Sequence, residues 1–168
     1  RPRRAINVMI GPPADPKDDA RVLKLFFAKE GSHICCGGST AHMISRYLNK
    51  PIIPVEDSGT EKVPAIATIE GMDLVTEGII TLQQVADLAE QYVSDNRLSI
   101  TINSGNDGVS LLCAYLFEQA TDINFFFGKA ENTANDDLDI GMDAKAIVIN
   151  RLISSLREMG KNVKISRC

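Results

Sequence analysis

Aromatic residues and clustered positive charge are scarce in this sequence. It contains no tryptophan, aromatic residues make up 5% of its 168 residues, and the formal net charge is −4. The basic residues form no cluster beyond the four-residue amino terminus. Proteins whose main partner is nucleic acid carry basic patches, so we expect no nucleic-acid partner. No apolar run reaches the roughly 18 residues of a membrane-spanning helix, so we expect no membrane partner either.

Cysteine and histidine are also few, with four and two residues respectively. No Cys-x-x-Cys spacing occurs, and the histidines complete no zinc pattern. Cys35 and Cys36 are adjacent, so on a strand they point to opposite faces and cannot hold one ion together. The favoured interpretation is that the cysteines are reduced core residues of a cytoplasmic protein. We therefore expect a cytoplasmic location, and no metal ligand and no cofactor in this chain.

The remaining composition is that of an ordinary globular protein, with 44% apolar and 24% charged residues. A chain of this length forms one domain, 1–168, and buries a core without disulfides. The amino terminus lacks the apolar stretch and cleavage site of a secretory signal, and it leads directly into a predicted strand. We expect the C-terminal domain of a larger protein.

Short apolar segments alternate with amphipathic helical patterns of about a dozen residues. The segment Asp122–Phe127 is almost uniformly apolar, as is typical of a central parallel strand covered on both faces. We therefore predict an α/β fold with an open, mostly parallel sheet and helices on both faces, a Rossmann-like three-layer arrangement. The predicted strands are Ala5–Ile10, Ser32–Cys36, Asp122–Phe127 and 162–166, with a three-residue strand within 70–78 and edge strands in 52–55 and 63–68. The predicted helices are 18–29, 39–48, 81–93, 109–120 and 144–159.

Ligands of open α/β sheets bind at the carboxyl ends of the strands, where the strand order reverses. This rule selects the loops at Gly11, Gly37, Glu70 with Glu77, and Gly128. Each of these loops contains a glycine, which lets a ligand approach the backbone closely.

The turn Gly37-Gly-Ser-Thr40 stands between a predicted strand and a predicted helix. Unpaired N–H groups and the helix dipole form an anion site there, and the hydroxyls of Ser39 and Thr40 can donate hydrogen bonds. The turn matches neither a P-loop nor the dinucleotide-binding glycine motif. A tight turn with a Ser or Thr cap explains the same residues equally well.

Three carboxylates lie within residues 70–78, and two of them precede glycines. Glu77 is predicted at the carboxyl end of a strand, where it could contact a ribose hydroxyl, an amine or Mg²⁺. The alternative is that these carboxylates only cap a helix amino end or stabilise turns, and the residues alone favour this alternative. The candidate ligand-binding residues, with no catalytic residue and no metal ligand among them, are Gly11, Gly37, Gly38, Ser39, Thr40, Glu70, Asp73, Glu77, Gly78 and Gly128.

Acidic residues also concentrate at 15–19 and 136–143, and we interpret both runs as solvated loops. Residues 137–143 begin like a calcium loop, with carboxylates at alternate positions. Glycine replaces the fifth ligand, and no Glu stands at the twelfth position. We therefore expect a loop in which Asp143 caps the last helix.

Motifs spread along nearly the whole chain resemble those of one known family. They are Arg1-Pro-Arg3, Gly11-Pro-Pro13, Asp18-Asp19, Cys36-Gly-Gly-Ser-Thr-Ala41, Arg46-Tyr-Leu48, 70–78 with Thr81-Leu82, Asp107-Gly108, 125–128 and Gly160-Lys-Asn-Val163. The sequence resembles the C-terminal region of bacterial stage II sporulation protein E-like Ser/Thr phosphatases. In that family a type-2C phosphatase domain lies upstream. The family more often has Thr at Ser39, and Asn-Pro-Ala-His where residues 132–135 read Asn-Thr-Ala-Asn.

The resemblance implies an upstream phosphatase domain as partner. That domain would use two Mn²⁺ or Mg²⁺ ions to remove phosphate from Ser or Thr of a regulatory protein. No phosphatase motif is assigned to this chain, so its own enzymatic activity is left open.

Three functions are compatible with these observations. The one we favour is an accessory, regulatory domain of the phosphatase that binds a small anionic ligand at the carboxyl edge of the sheet. A homodimer formed through a helix is considered with it. The alternatives are a stand-alone α/β enzyme that acts on a phosphorylated ligand, with Asp73 or Glu77 as base or metal ligand, and a pure protein-interaction module.

Overall fold

The structure is a computed structural model, and it describes residues 2–95, 105–130 and 142–168. Strands and helices alternate within these residues, as the sequence predicts. The strands are β1 Ala5–Ile10, β2 Ser32–Cys36, β3 Ile53–Pro54, β4 Ala67–Thr68, β5 Leu74–Thr76, β6 Asp122–Phe127 and β7 Asn162–Arg167. The helices are α1 Asp19–Ala28, α2 Gly38–Leu48, α3 Ile79–Ser94, α4 Gly108–Cys113 and α5 Met142–Glu158.

All seven strands form one sheet in the order β3-β4-β5-β2-β1-β6-β7. The five strands from β5 to β7 are parallel, and the two-residue β3 and β4 add an antiparallel edge. The strand β1 is the middle one of the five parallel strands, and its Val8 is paired with Ile34 on one side and Phe125 on the other. The predicted open, mostly parallel α/β sheet is therefore confirmed.

The strand order reverses between β1 and β6. The chain moves outward from β1 through β2 to β5 and then returns to the opposite side of β1 with β6. In sheets of this kind the carboxyl ends on either side of the reversal diverge and leave a crevice. This topology places the loops that follow β1, β2, β5 and β6 on one edge of the domain.

Helices cover both faces of the sheet and bury a separate apolar cluster on each. One cluster joins α1 and α2 to the sheet through residues such as Phe26 and Ile44, and it includes Cys35. The other joins α3, α4 and α5 through residues such as Val85 and Leu152, and it includes Cys36. The adjacent cysteines thus lie on opposite faces of β2, as the alternation of a strand requires.

One predicted helix and both predicted edge strands differ in detail from the structure. The helix predicted for 109–120 is α-helical only to Cys113 and continues as a π-helix over Ala114–Gln119, ended by a hydrogen bond from Ala120 N to Tyr115 O. Apolar spacing alone does not distinguish these two helix types. The predicted edge strands shorten to two residues each, because prolines in this region supply no backbone N–H to a ladder. No helix in the described part of the chain is both long and apolar enough to cross a membrane.

Candidate functional site

A cavity of about 990 Å³ opens at the carboxyl ends of β1, β2 and β5. Its walls come from the loop between β1 and α1, from the amino ends of α2 and α3, and from one residue near the start of α5. Small-molecule sites typically have volumes of roughly 300–1,000 Å³, and this cavity lies near the upper end of that range. The predicted site residues that line it are Gly11, Gly37, Gly38, Ser39, Thr40, Glu77 and Gly78.

Gly128 lies against the loop after β1 and does not line the cavity itself. Its N–H donates to Ile10 O at 2.9 Å, and a Cβ at this position would lie 2.0 Å from Pro12 O and 2.1 Å from Gly11 O. No side chain fits such a gap. Glycine at 128 therefore holds the two loops on either side of the strand-order reversal together.

Thr40 joins the loop after β1 to the amino end of α2. Its buried hydroxyl accepts a hydrogen bond from Gly11 N at 2.9 Å and donates one to Cys36 O at 3.2 Å. This hydroxyl is therefore occupied by the protein. The neighbouring Ser39 is exposed in the cavity, and no described residue hydrogen-bonds its hydroxyl. Of the two predicted hydroxyl donors, only Ser39 is available to a ligand.

No side chain caps the amino end of α2. The helix follows Gly37, whose φ of 116° is readily adopted only by glycine, and the Cα of Gly37 lies close to Gly78 at the start of α3. The first N–H groups of α2 therefore have no intrahelical acceptor and carry the positive end of the helix dipole. His42 and Arg46 line the cavity one and two turns further along.

Lys145 brings a cation to the same cavity from the first turns of α5. Its Nζ would lie 3.4 Å from a Cβ built on Gly11, so the ammonium sits over the loop that Thr40 ties to α2. Burial lowers the pKa of Lys145, and no described residue forms a hydrogen bond or ion pair with it. Sequence reasoning missed this residue. The available signal was a lysine near a helix amino end, where the dipole disfavours a cation.

Glu77 stands at the carboxyl end of β5, as predicted, and lines the cavity. Both of its carboxylate oxygens face the helix that follows. Oε1 accepts from Thr81 N at 3.0 Å, and Oε2 accepts from Ile80 N at 3.4 Å. Glu77 therefore satisfies two of the free N–H groups of α3, which is the helix-end role considered for it from the sequence.

Glu70 and Asp73 lie at the amino end of β5 and do not line the cavity. Asp73 accepts a hydrogen bond from His33 N at 2.7 Å. Glu70 is exposed and pairs with Lys50 at 2.7 Å, and this contact lowers the pKa of Glu70. The structure separates them from Glu77 because β5 runs between them, with its amino end on the opposite edge of the sheet.

Asp19 belongs to an acidic run that the sequence indicated to be a solvated loop, yet it is half-buried and lines the cavity. Its Oδ1 is buried without a hydrogen-bond partner among the described residues. Burial raises the pKa of Asp19, and the charge of Arg46 partly opposes this. The resemblance motif Asp18-Asp19 contained this residue, but its position at the first turn of α1 gave no indication of a ligand.

Apolar side chains complete the walls. Pro12 and Pro13 come from the loop after β1, and Ile79, Ile80 and Leu82 come from the start of α3. Ile80 is 47% exposed, so part of its side chain presents apolar surface to the cavity that it lines. The cavity therefore combines a cationic region with an apolar wall.

No three His, Cys, Asp or Glu side chains converge on a metal position in the residues that the structure describes. Cys36 lines the cavity, but burial raises the pKa of its thiol to about 12. The thiol is therefore protonated at neutral pH and a poor metal ligand. Residues 132–135 and most of the acidic stretch 137–143 lie outside the described ranges; α5 begins at Met142.

Comparisons with family models, with curated proteins and with solved structures find no match to this chain.

Proposed function

We propose that this chain is an accessory domain of a bacterial Ser/Thr phosphatase and that it binds a small anionic ligand in the cavity at the carboxyl edge of its sheet. The observation that carries the binding proposal is the unpaired Lys145, which lies in one cavity with the uncapped amino end of α2. The association with a phosphatase is supported by the sequence resemblance alone.

A partly buried ammonium without a counter-charge loses hydration and gains nothing in return. An anion in the cavity would supply that counter-charge. It would also accept hydrogen bonds from the free N–H groups at the start of α2, which helix amino ends offer to phosphate and carboxylate groups. Both groups therefore favour the same kind of ligand from different elements of the fold.

The apolar wall strengthens this preference. Pro12, Pro13 and Ile80 present little competing polar surface, and a bound ligand would displace water from between them and α2. Charge interactions grow as the local dielectric constant falls. A ligand with an anionic group and a compact carbon skeleton fits this division of the walls.

The same geometry disfavours the alternative of a hydrolytic enzyme built on the acidic residues of 70–78. Glu77 is engaged in capping α3, and Asp73 binds the backbone of His33 at the opposite edge of the sheet. A general base must reach the proton that it removes, so neither residue is placed to act on a ligand in the cavity.

Binding of inorganic phosphate, followed by NMR through the backbone amide signals, tests the proposal. We expect the signals of Gly38 and Ser39 to move in a saturable way. The variant Lys145→Met should weaken binding about ten- to 100-fold, as expected for loss of a charged hydrogen bond worth roughly 1.5–3 kcal/mol. Lys129→Met is the matched control, because Lys129 is an exposed lysine after β6 that does not line the cavity.

Equal binding by both lysine variants, or phosphate-induced shifts only in residues away from α2, would refute the site. The association with a phosphatase needs its own experiment. Mn²⁺-dependent release of phosphate from a phosphoserine peptide should be measured with the proposed larger protein, in which a phosphatase domain precedes this chain. If Lys145→Met leaves that rate and its response to phosphate unchanged, the domain is not an accessory to the enzyme.

A further inference from the structure

Two ionisable side chains of opposite sign line the cavity without partners. Lys145 has no hydrogen bond or ion pair among the described residues, and the same holds for the carboxyl group of Asp19. The two do not pair with each other within 4.0 Å. Both side chains therefore belong to the cavity wall, and neither has a partner among the described residues.

The two side chains come from helices that pack on opposite faces of the sheet. Lys145 lies over Gly11, beside the amino end of α2. Asp19 is the first residue of α1, close enough to Asp15 and Asp18 for their charges to act on it. The cavity thus has a positive region at α2 and α5 and a negative region at α1.

A purely anionic ligand satisfies only the positive region. The carboxyl group of Asp19 would repel such a ligand, and its buried Oδ1 would stay without a donor. An acceptor that is buried without a donor is costly, so native structures satisfy nearly all of them. A hydroxyl or amine on a ligand in the cavity would supply a donor to the carboxyl group of Asp19.

We propose that the ligand is bipolar: a phosphate group binds at Lys145 and the amino end of α2, while hydroxyl or amine groups on the same molecule donate hydrogen bonds to Asp19. This inference rests on the proposed function, because it assigns the second pole of the same site. Sugar phosphates and phosphorylated amines are chemical classes that carry both kinds of group on one molecule.

The positive charge of Arg46 does not supply the missing hydrogen-bond donor to Asp19. Arg46 lines the cavity and attracts Asp19, yet it forms no ion pair with Asp19 within 4.0 Å. It lies in the last turn of α2, away from the free N–H groups at the start of that helix. Arg46 therefore balances the field of Asp19 without occupying its hydrogen-bonding positions.

Three probes that share a phosphate group separate the two poles: inorganic phosphate, ribose 5-phosphate and phosphoethanolamine. Their dissociation constants should be measured with the 168-residue chain by NMR titration. We expect at least one donor-bearing probe to bind about tenfold or more tightly than inorganic phosphate. Ribose 5-phosphate reports hydroxyl donors, and phosphoethanolamine reports an amine.

The variant Asp19→Asn should remove that preference, weakening the donor-bearing probe about tenfold while binding of inorganic phosphate does not weaken. Asp18→Asn is the matched control. It removes the same charge from the neighbouring residue, whose side chain pairs with Arg21 and does not line the cavity. Asp19→Ser serves as a second variant, and the thermal midpoint of each variant checks that it folds.

The possible outcomes separate the proposal of a bipolar ligand from the proposal of an anion site. If all three probes bind equally and depend on Lys145 but not on Asp19, the bipolar assignment is wrong and the anion site stands. If Asp19→Asn strengthens all three probes alike, the carboxyl group acts only through its charge, and the assignment is again wrong. If no probe binds and Lys145→Met changes nothing, the anion site itself fails.

Discussion

The substitution Gly128→Ala tests the contact that holds the cavity loops together. A Cβ at residue 128 would lie 2.0 Å from Pro12 O and 2.1 Å from Gly11 O, and both obstacles are backbone atoms. Neither can swing away as the end of a flexible side chain would. The loops after β1 and β6 must therefore separate by about 1.4 Å before a methyl group reaches an ordinary contact distance of about 3.4 Å.

The expected cost follows from the contacts that this separation breaks. Forcing a methyl group into a packed site costs about 1–3 kcal/mol. Two hydrogen bonds between the loops lengthen as well, from Gly128 N to Ile10 O at 2.9 Å and from Ala130 N to Pro12 O at 3.1 Å. Each contributes about 1 kcal/mol. We expect the free energy of unfolding to fall by about 3–5 kcal/mol.

Urea denaturation gives the free energy of unfolding, and calorimetry should show a midpoint lowered by roughly 6–20 °C for a domain of this size. Gly38→Ala is the matched control. A Cβ at residue 38 meets nothing within 4 Å, and its φ is not positive, so we expect no loss and a gain of up to about 1 kcal/mol. A cost below about 1 kcal/mol for Gly128→Ala would refute the steric argument.

Three further predictions concern a helix end, pH and thiol access. Glu77→Ala should lower the free energy of unfolding by about 1 kcal/mol in urea titrations, because it frees two amides of α3; an unchanged midpoint would contradict the capping role. Hydrogen bonds, led by that from Thr121, lower the pKa of Asp122 in the folded state. The ionised carboxylate therefore stabilises the fold above about pH 4, and this contribution is lost as the pH falls further. Urea midpoints between pH 2 and 6 should therefore vary less in Asp122→Asn than in the parent chain, and equal slopes would contradict this. In the native state iodoacetamide should modify the half-buried Cys168 first, whereas the three buried cysteines should react only on unfolding; mass spectrometry that finds Cys36 modified as fast would refute this order.

The sheet and most of the loops of the site could be predicted because their signals are local. Continuous apolar runs such as β6 mark central strands, and a glycine follows or adjoins each parallel strand that borders the cavity. The rule that ligands bind at carboxyl ends then selects Gly11 and Gly37 without any knowledge of the strand order. The residues that line the cavity include these two.

The remaining site residues depend on distances that the sequence does not encode locally. Asp73 and Glu77 are four positions apart, but the extended strand between them separates them by roughly 13 Å, at opposite edges of the sheet. Lys145 reaches Gly11 only because β6 returns beside β1 and directs α5 towards it. Local patterns therefore placed Asp73 wrongly beside Glu77 and missed the contact between Lys145 and Gly11.

Two adjacent hydroxyl side chains also have different roles in the structure. Ser39 and Thr40 carry the same functional group, and the sequence treated them as equal donors. The first turn of α2 rotates Thr40 inward to the backbone of Gly11 and leaves Ser39 exposed. Rotation of about 100° per residue decides this difference, and it is fixed only when the packed face of the helix is known.

The central position of β1 determines the order in which the chain can fold during synthesis. Asn7 on β1 pairs with Asn124 on β6, 117 residues later, and the two side chains are hydrogen-bonded at 2.9 Å. Until β6 leaves the ribosome, β1 has a partner on one side only and presents a row of unpaired N–H and C=O groups on the other. Such long-range parallel pairing forms slowly, so a nascent chain that stalls before residue 122 would be prone to associate with its copies.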